Sequence, residues 1–513
     1  MKRLIALLIL LSLCFSSCSV LEGILGNKEP ASGLTDGCKA GSHTDDNDDG
    51  SCDYCAISVL VFVDLFAVND LHGKINATSS QPGIGGLTKY LKTVSNENSV
   101  LLSSGDMWQG SSESNLTYGA FITEWMNELG FVSMTLGNHE YDWTEKYIRD
   151  NAALAEFPML AINVYDTKTG KRAEYATPSI VIERGGIEIG IIGAIGDCHS
   201  SISGDVNDGF TFKVGSELTS LVKAEATRLR NEGVDFIVYS LHDGYENSSS
   251  GTKLVQSKDI AYYYDTSLSN GYVDLVFEGH THQSYVLSDS YGVYHLQGGG
   301  ENKGISHAQV AVNSVTGTTN VRTAEIVKSS VYSKLSADPL VAELLEKYDD
   351  VISPAYEVLG TNRQYRDDSV VEQIVADLYY EFGVETWGDE YDIALGGGFV
   401  RTRNPYNLAA GQITYSDIYS LLPFDNNIVL CSISGSDLLS KFINSTNEDY
   451  YISSGVDINT LRNSIEPGRT YYIVTDTYTS TYAYNRCTEV ARITDHVFAR
   501  DLFAEYVRNG GLS

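Results

Sequence analysis

Between residues 57 and 334, short apolar runs recur and each ends in a cluster of polar residues. Val59 to Val68 leads into Asn69-Asp70-Leu71-His72-Gly73, and Ser99 to Ser104 leads into Gly105-Asp106. Phe131 to Leu136 leads into Gly137-Asn138-His139-Glu140-Tyr141-Asp142. Phe236 to Ser240 leads into Leu241-His242-Asp243-Gly244, and Val273 to Phe277 into Glu278-Gly279-His280-Thr281-His282. Short runs without polar alternation read as buried strands feeding loops. A helix is predicted over Ala120 to Leu129. Strands alternating with helices predict an α/β domain, in which ligands bind beyond the carboxyl ends of the strands.

After residue 334 the pattern changes. Leu340, Leu344, Leu345 and Tyr348 lie at helical spacing within Asp338 to Val351, which predicts a linker helix over about 335–355. A second helix, Val370 to Phe382, opens a new domain at 356–513. Its centre is Gly396-Gly397-Gly398-Phe399-Val400-Arg401, followed by Gly411-Gln412-Ile413-Thr414 and Leu421-Leu422-Pro423-Phe424-Asp425-Asn426. At the other end, Lys2 and Arg3 precede the apolar run Leu4 to Leu13, too short for a membrane span and right for a signal segment. The expected organisation is a signal peptide at 1–18, a Cys/Asp-rich tether at 19–56, a first domain at 57–334, the linker helix and the second domain.

Composition narrows the function. The chain has 513 residues, of which 42% are apolar and 11% aromatic, enough to bury the cores of two or three domains. Thirty-five basic against 67 acidic residues give a net charge of −32, which opposes attraction to nucleic-acid phosphates and anionic lipids. No nucleic-acid partner is expected, and an anionic substrate would need a local positive element such as a metal.

The tether carries Cys38, His43, Cys52 and Cys55 around the acidic run Asp45-Asp46-Asn47-Asp48-Asp49-Gly50. Three thiols and an imidazole could supply an extra structural zinc site. One disulfide with a leftover thiol, on a solvated acidic tether, is the other reading. Asp45, Asn47, Asp49 and Gly50 also match the start of a calcium loop, but its twelfth position falls on Ala56 where a bidentate Glu is needed.

A single His or Asp at a strand end is usually a turn former or helix cap. Five such clusters together offer Asp70, His72, Asp106, Asn138, His242, His280 and His282, a carboxylate, amide and imidazole set suited to two first-row divalent cations. The ordered pattern Asp-x-His, Gly-Asp, Gly-Asn-His-Glu, His, Gly-His-x-His resembles the calcineurin-like metallophosphatases. That resemblance implies that Asp70, His72 and His282 ligate one metal, that Asn138, His242 and His280 ligate the other, and that Asp106 bridges them. The metals would be Zn, Mn, Co or Fe, supplying a metal-activated hydroxide for in-line displacement at phosphorus. His139, oriented by Asp142, would act near the leaving group. At His282 the nucleotidase branch often carries an amide.

Gly-Gly-Gly followed by Arg, then Gly-x-Ile-Thr and Leu-Pro-Phe-x-Asn, resembles the C-terminal domain of the 5′-nucleotidases. The resemblance implies a phosphate contact from Arg401 or Arg403 and a base stacked on Phe424. The family's Gly-Gly-Asp-Gly segment is replaced here by Thr477-Tyr478-Thr479-Ser480-Thr481-Tyr482, in which Tyr478 offers a second ring. The implied fold is a four-layer αββα metallophosphoesterase sandwich with a second α+β substrate-binding domain. The implied activity is release of phosphate from 5′-nucleotides. A related cyclic phosphodiesterase, a sugar-nucleotide or polyphosphate hydrolase, and a surface binding protein that has lost turnover are the alternatives. Phe15-Ser16-Ser17-Cys18 resembles the lipobox of bacterial lipoproteins, implying export and a lipid anchor on Cys18.

Overall fold

The computed structural model describes residues 38, 41–77, 82–197, 202, 209–245, 264–400, 402, 407–445, 450–483, 487–493 and 497–513. Cys18, Arg401 and Arg403 lie outside the described residues. The chain forms two compact units, one of Met1–Val61 with Ala311–Thr319 and a larger one of Phe62–Val310 with Asn320–Ser513.

The first six-stranded sheet is centred on β1 (Leu60–Val68) and β2 (Ser99–Ser103), which pair in parallel. β3 (Phe131–Thr135) and Met159–Leu160 extend it in parallel, and Gly304–Asn313 and Thr319–Lys328 extend it on the other side of β1. In the second sheet β4 (Phe236–His242) lies between Ile187–Ile195 and β5 (Leu275–Glu278), followed by Tyr294–Gly298, all parallel. Ser179–Arg184 and Ser284–Ser288 close its edges antiparallel. Every residue of β2 and β4 is buried, as expected for strands covered on both faces.

The two sheets meet face to face, with Ser240 Oγ 2.7 Å from Thr135 Oγ1 and 3.1 Å from Ser104 Oγ. On the outside of the first sheet, α1 (Ile84–Val94) and α2 (Ala120–Leu129) bury Leu87, Leu91, Phe121 and Trp125. On the outside of the second, α3 (Ser216–Glu232) buries Leu218, Val222, Ala226 and Leu229. The result is the αββα layering.

α4 (Pro339–Lys347) is capped by Asp338, whose side chain accepts from the Leu340 N–H, and packs Leu340, Val341 and Leu344 into the first core. The linker helix expected over 335–355 does not continue. It breaks at Tyr348, whose ψ of 10° is non-helical and whose ring packs on Phe121 at 5.9 Å between centroids. A short turn, Asp349–Ile352, and a 3-10 turn, Ser353–Tyr356, follow. α5 (Asp368–Trp387) runs five residues past the expected Phe382, through Gly383, where a Cβ would lie 2.1 Å from the Val474 side chain, to Gly388. It packs Val371, Val375, Ala376 and Tyr379 with Val474 of a five-stranded mixed sheet, ordered Tyr450–Ile452, Ile393–Phe399, Thr470–Asp476, Ile428–Ser434, Thr488–Arg492.

Candidate metal centre

All five polar clusters leave the carboxyl ends of β1 to β5. Asp70, His72, Asp106, His280 and His282 adopt left-handed backbone, with φ of +48°, +51°, +55°, +69° and +54°. This conformation costs an L-residue about 1–2 kcal/mol, and strain of this kind collects where side chains must be aimed. Two glycines allow the loops to approach. A Cβ on Gly105 would lie 2.5 Å from His242 Nδ1, and one on Gly137 would lie 2.3 Å from Asp106 Oδ1.

The side chains converge. His72 Nε2 is 3.0 Å from His282 Nε2 and 4.0 Å from Asp106 Oδ2, and His282 Nε2 is 3.5 Å from Asp70 Oδ1. On the other side His242 Nε2 is 3.1 Å from both Asp106 Oδ2 and Asn138 Oδ1, and His280 Nδ1 is 2.9 Å from Asn138 Oδ1. Asp106 thus lies between two groups, Asp70, His72 and His282 in one and His242, His280 and Asn138 in the other. Apart from exposed His282 and the half-buried His280, these side chains are buried.

Their tautomers reveal what the arrangement requires. His72 Nδ1 donates to the Gln109 carbonyl at 2.9 Å, and His242 Nδ1 donates to the Ser104 carbonyl at 2.7 Å. In the neutral rings the lone pairs therefore sit on Nε2, aimed at carboxylate and amide oxygens that are themselves acceptors. Positive charge resolves such a cluster, either a bound metal cation or a proton on Nε2. Burial disfavours the His242 imidazolium, but the Asp106 carboxylate 3.1 Å away outweighs burial and raises the group to about 10, so the site draws positive charge to this position. Burial and the charge on His242 lower His280 to about 4, keeping it a neutral ligand-type ring. Asn138 Nδ2 is buried without a hydrogen-bond partner among the described residues, while its Oδ1 faces the imidazoles. Carboxylate, imidazole and amide donors at these separations fit two first-row divalent cations.

His139 stands beside this cluster. Its Nδ1 is 2.6 Å from Asp142 Oδ2, and its backbone N–H donates to Asp106 Oδ1 at 2.8 Å. Glu140, to which sequence reasoning gave no role, is fully buried and accepts the backbone N–H groups of Asp106, Met107, Trp108 and Gly137 at 2.7–3.3 Å. Its carboxylate ties the second loop to the third. Burial, with the Asp106 charge, raises Glu140 to about 7.

A cavity of about 180 Å³ opens between His139 and Asp142 on one wall and Phe399, Phe424, Tyr478 and Asp476 on the others. The Phe424 ring lies 6.0 Å from that of His139, inclined by 30°. Tyr478 packs on Phe399 at 5.7 Å, so Phe399 is a third aromatic wall that sequence reasoning quoted without a role. The structure brings the seven ligand-type residues, His139, Asp142, Phe424 and Tyr478 to one cleft. The Cys38, His43, Cys52 and Cys55 group forms a separate cluster, without a Cys38–Cys52 disulfide, since those sulfurs stand 3.5 Å apart.

Residues 64–284 match the family model for calcineurin-like phosphoesterase, and residues 351–473 match that for the 5′-nucleotidase C-terminal domain. The chain is 25% identical over 416 residues to an apyrase of Tabanus yao, covering 73% of this chain and 72% of that one. It is 24% identical over 382 residues to protein UshA of Yersinia enterocolitica, covering 66% of each chain. The crystal structure of a putative 5′-nucleotidase from Staphylococcus aureus superposes with a TM-score of 0.68 at 16% identity, covering 88% of this chain and 98% of that one.

Proposed function

Because the chain belongs to the 5′-nucleotidase family, with a calcineurin-like phosphoesterase region followed by a 5′-nucleotidase C-terminal domain, we propose that it is an extracytoplasmic metal-dependent phosphohydrolase that releases phosphate from 5′-nucleotides. The observation that carries this reading is the shared cleft: the two-group ligand cluster and an aromatic-walled cavity adjoin through His139.

In this reading Asp70, His72 and His282 would hold one divalent cation, Asn138, His242 and His280 would hold the other, and Asp106, which stands between the two sets, would serve both. When bound, the cations supply Lewis-acid polarisation of the phosphoryl oxygens and lower the pKa of water. The protein's own groups prepare that chemistry. The Gln109 and Ser104 carbonyls hold His72 and His242 in the tautomer that presents Nε2. Glu140 fixes the loop carrying Asp106. Asp142, at Nδ1 of His139, stabilises an imidazolium whose Nε2 proton passes to the departing nucleoside oxygen.

The first domain, 57–334, would thus carry the reaction and the second, 356–513, substrate recognition. Phe424 and Tyr478 would flank the base, and Arg401 or Arg403 would meet the phosphate. Phosphate release from a panel of nucleotides, cyclic nucleotides, sugar nucleotides, polyphosphate and an aryl phosphate, with chelator and then with added divalent ions, tests this reading. Preference for 5′-nucleotides with full dependence on metal is the expected result, and absence of turnover with every metal would overturn it.

The extracytoplasmic part of the proposal is supported by the signal-type run Leu4 to Leu13 and by the Phe15-Ser16-Ser17-Cys18 segment, which implies a lipid on Cys18. Among the described residues no helix is long and apolar enough to cross a membrane.

A further inference from the structure

Few apolar side chains are buried among the described residues of the smaller unit. Among its described residues the buried hydrophobic cluster consists of Cys38, Cys52 and Val59, with Cys55 packed against it. A segment this small cannot be fixed by apolar burial alone and needs a cross-link of some kind. Its cysteines and one histidine meet at a point. Cys38 Sγ is 3.5 Å from Cys52 Sγ, Cys55 Sγ is 3.5 Å from His43 Nδ1, and all four atoms lie within 4.8 Å of one another.

We propose that Cys38, His43, Cys52 and Cys55 form a tetrahedral zinc site that holds this unit together, separate from the catalytic metals. Bonds of about 2.3 Å to sulfur and about 2.0 Å to nitrogen give a tetrahedron with edges of roughly 3.5–3.8 Å, which the two 3.5 Å separations match. A disulfide needs sulfurs at about 2.05 Å and leaves the third thiol and the imidazole unused. Backbone donors are already aimed at the sulfurs. The backbone N–H groups of Thr44, Tyr54 and Cys55 favour the Cys52 thiolate, and that of Ile57 favours the Cys55 thiolate. Ala56 sits between Cys55 and Ile57 at a φ of +55°, the left-handed turn that brings the Ile57 N–H back to the sulfur. Such donors stabilise thiolates, the form that binds metal.

The acidic run serves this geometry and is no second cation site. Asp45 accepts the N–H groups of Asp49 and Gly50 and the Asn313 side-chain amide, and Asp53 accepts the Asp46 N–H. These bonds fold the loop so that His43 returns beside Cys52. Three thiolates and an imidazole select zinc over magnesium, calcium or manganese.

The test uses the full mature chain, reduced, stripped with a chelator and titrated with Co2+. The catalytic centre has only nitrogen and oxygen donors, so a thiolate-to-cobalt charge-transfer band reports the proposed site alone. The expected result is one equivalent of such cobalt, displaced by zinc, absent in Cys52→Ser/Cys55→Ser and retained in Asp106→Ala. No band in the wild type, an unchanged band in the double variant, or a Cys38–Cys52 disulfide in the unreduced purified protein would overturn the proposal. Should the double variant fail to fold, alkylation of wild-type protein decides: zinc protects Cys38, Cys52 and Cys55 together if the site exists, and equal labelling with and without zinc overturns it.

Discussion

The side-chain amide of Gln109 donates to the carbonyl of Pro423 at 3.1 Å, across 314 positions of sequence. The backbone carbonyl of the same Gln109 accepts from His72 Nδ1, so one residue touches both a ligand-type imidazole and the loop that carries Phe424. Asn115 donates to the same Pro423 carbonyl at 3.3 Å, and Arg500 donates to the Phe424 carbonyl at 3.0 Å while pairing with Asp425. The Pro-Phe loop is thus held from both sides, and the position of the aromatic ring over His139 is set by hydrogen bonds to its backbone.

The Asp106 carboxylate lies between the two ligand groups, so Asp106→Ala is expected to remove the bridge and lower bound metal and turnover together. Loss of groups that only orient a ligand costs about 10–100-fold, and removal of a bridging ligand should cost at least about 100-fold. The substitution also strips the His139 N–H of its acceptor, worth about 1–3 kcal/mol, which a fold whose strands β2 and β4 are buried throughout tolerates. Metal analysis and phosphate release on the folded variant check this, and wild-type metal content with wild-type activity would refute the dinuclear reading.

His139 tests chemistry apart from metal binding. With Asp142 at Nδ1, its ring is arranged to assist leaving-group departure, which acts mainly in the transition state. His139→Ala is expected to lower kcat by about 10²–10⁴ with a smaller change in KM and both metals retained. Steady-state kinetics with metal analysis measure this, and an unchanged kcat would remove His139 from the mechanism.

Much of this arrangement was legible in the sequence because strands that are buried on both faces read as uninterrupted apolar runs. β2, β3 and α2 fall within one residue of their expected limits, and β4 runs two residues further, to His242. What escaped reading depends on groups that carry no residue identity. Glu140 binds four backbone N–H groups, so no partner residue marks it in sequence. The break at Tyr348 coincides with a long-range contact of its ring with Phe121, while the local pattern is still helical. The tether's cysteine spacing was visible, but its contact to Asn313, 268 positions away, was not.

Cys18 lies outside the described residues, and its proposed lipid is a matter for fractionation. Cys18→Ser is expected to shift the protein from the membrane fraction to a soluble species or a retained precursor, because no described helix can replace the anchor. Immunoblotting of separated fractions and metabolic labelling with a fatty acid check it, and unaltered membrane partitioning would point to another anchor.

Phe424 decides whether the second domain reads the nucleoside. If its ring and Tyr478 flank a base, stacking contributes about 1–3 kcal/mol per ring, and Phe424→Ala should lower kcat/KM for nucleotides by about tenfold or more. An aryl phosphate, too small to reach both rings, should lose far less. Were Phe424 a core residue like its buried neighbours Leu421 and Leu422, the variant would instead lose thermal stability and decline equally on every substrate. Its half-buried position on the cavity wall favours the first outcome. Gln109→Ala supplies the companion test, because it keeps the ring and removes one of the bonds that aim it. It should reduce the nucleotide-to-aryl-phosphate ratio in the same direction by a smaller factor. A ratio equal to wild type in folded Phe424→Ala protein would show that the enzyme ignores the base and that the cavity serves some other part of the substrate.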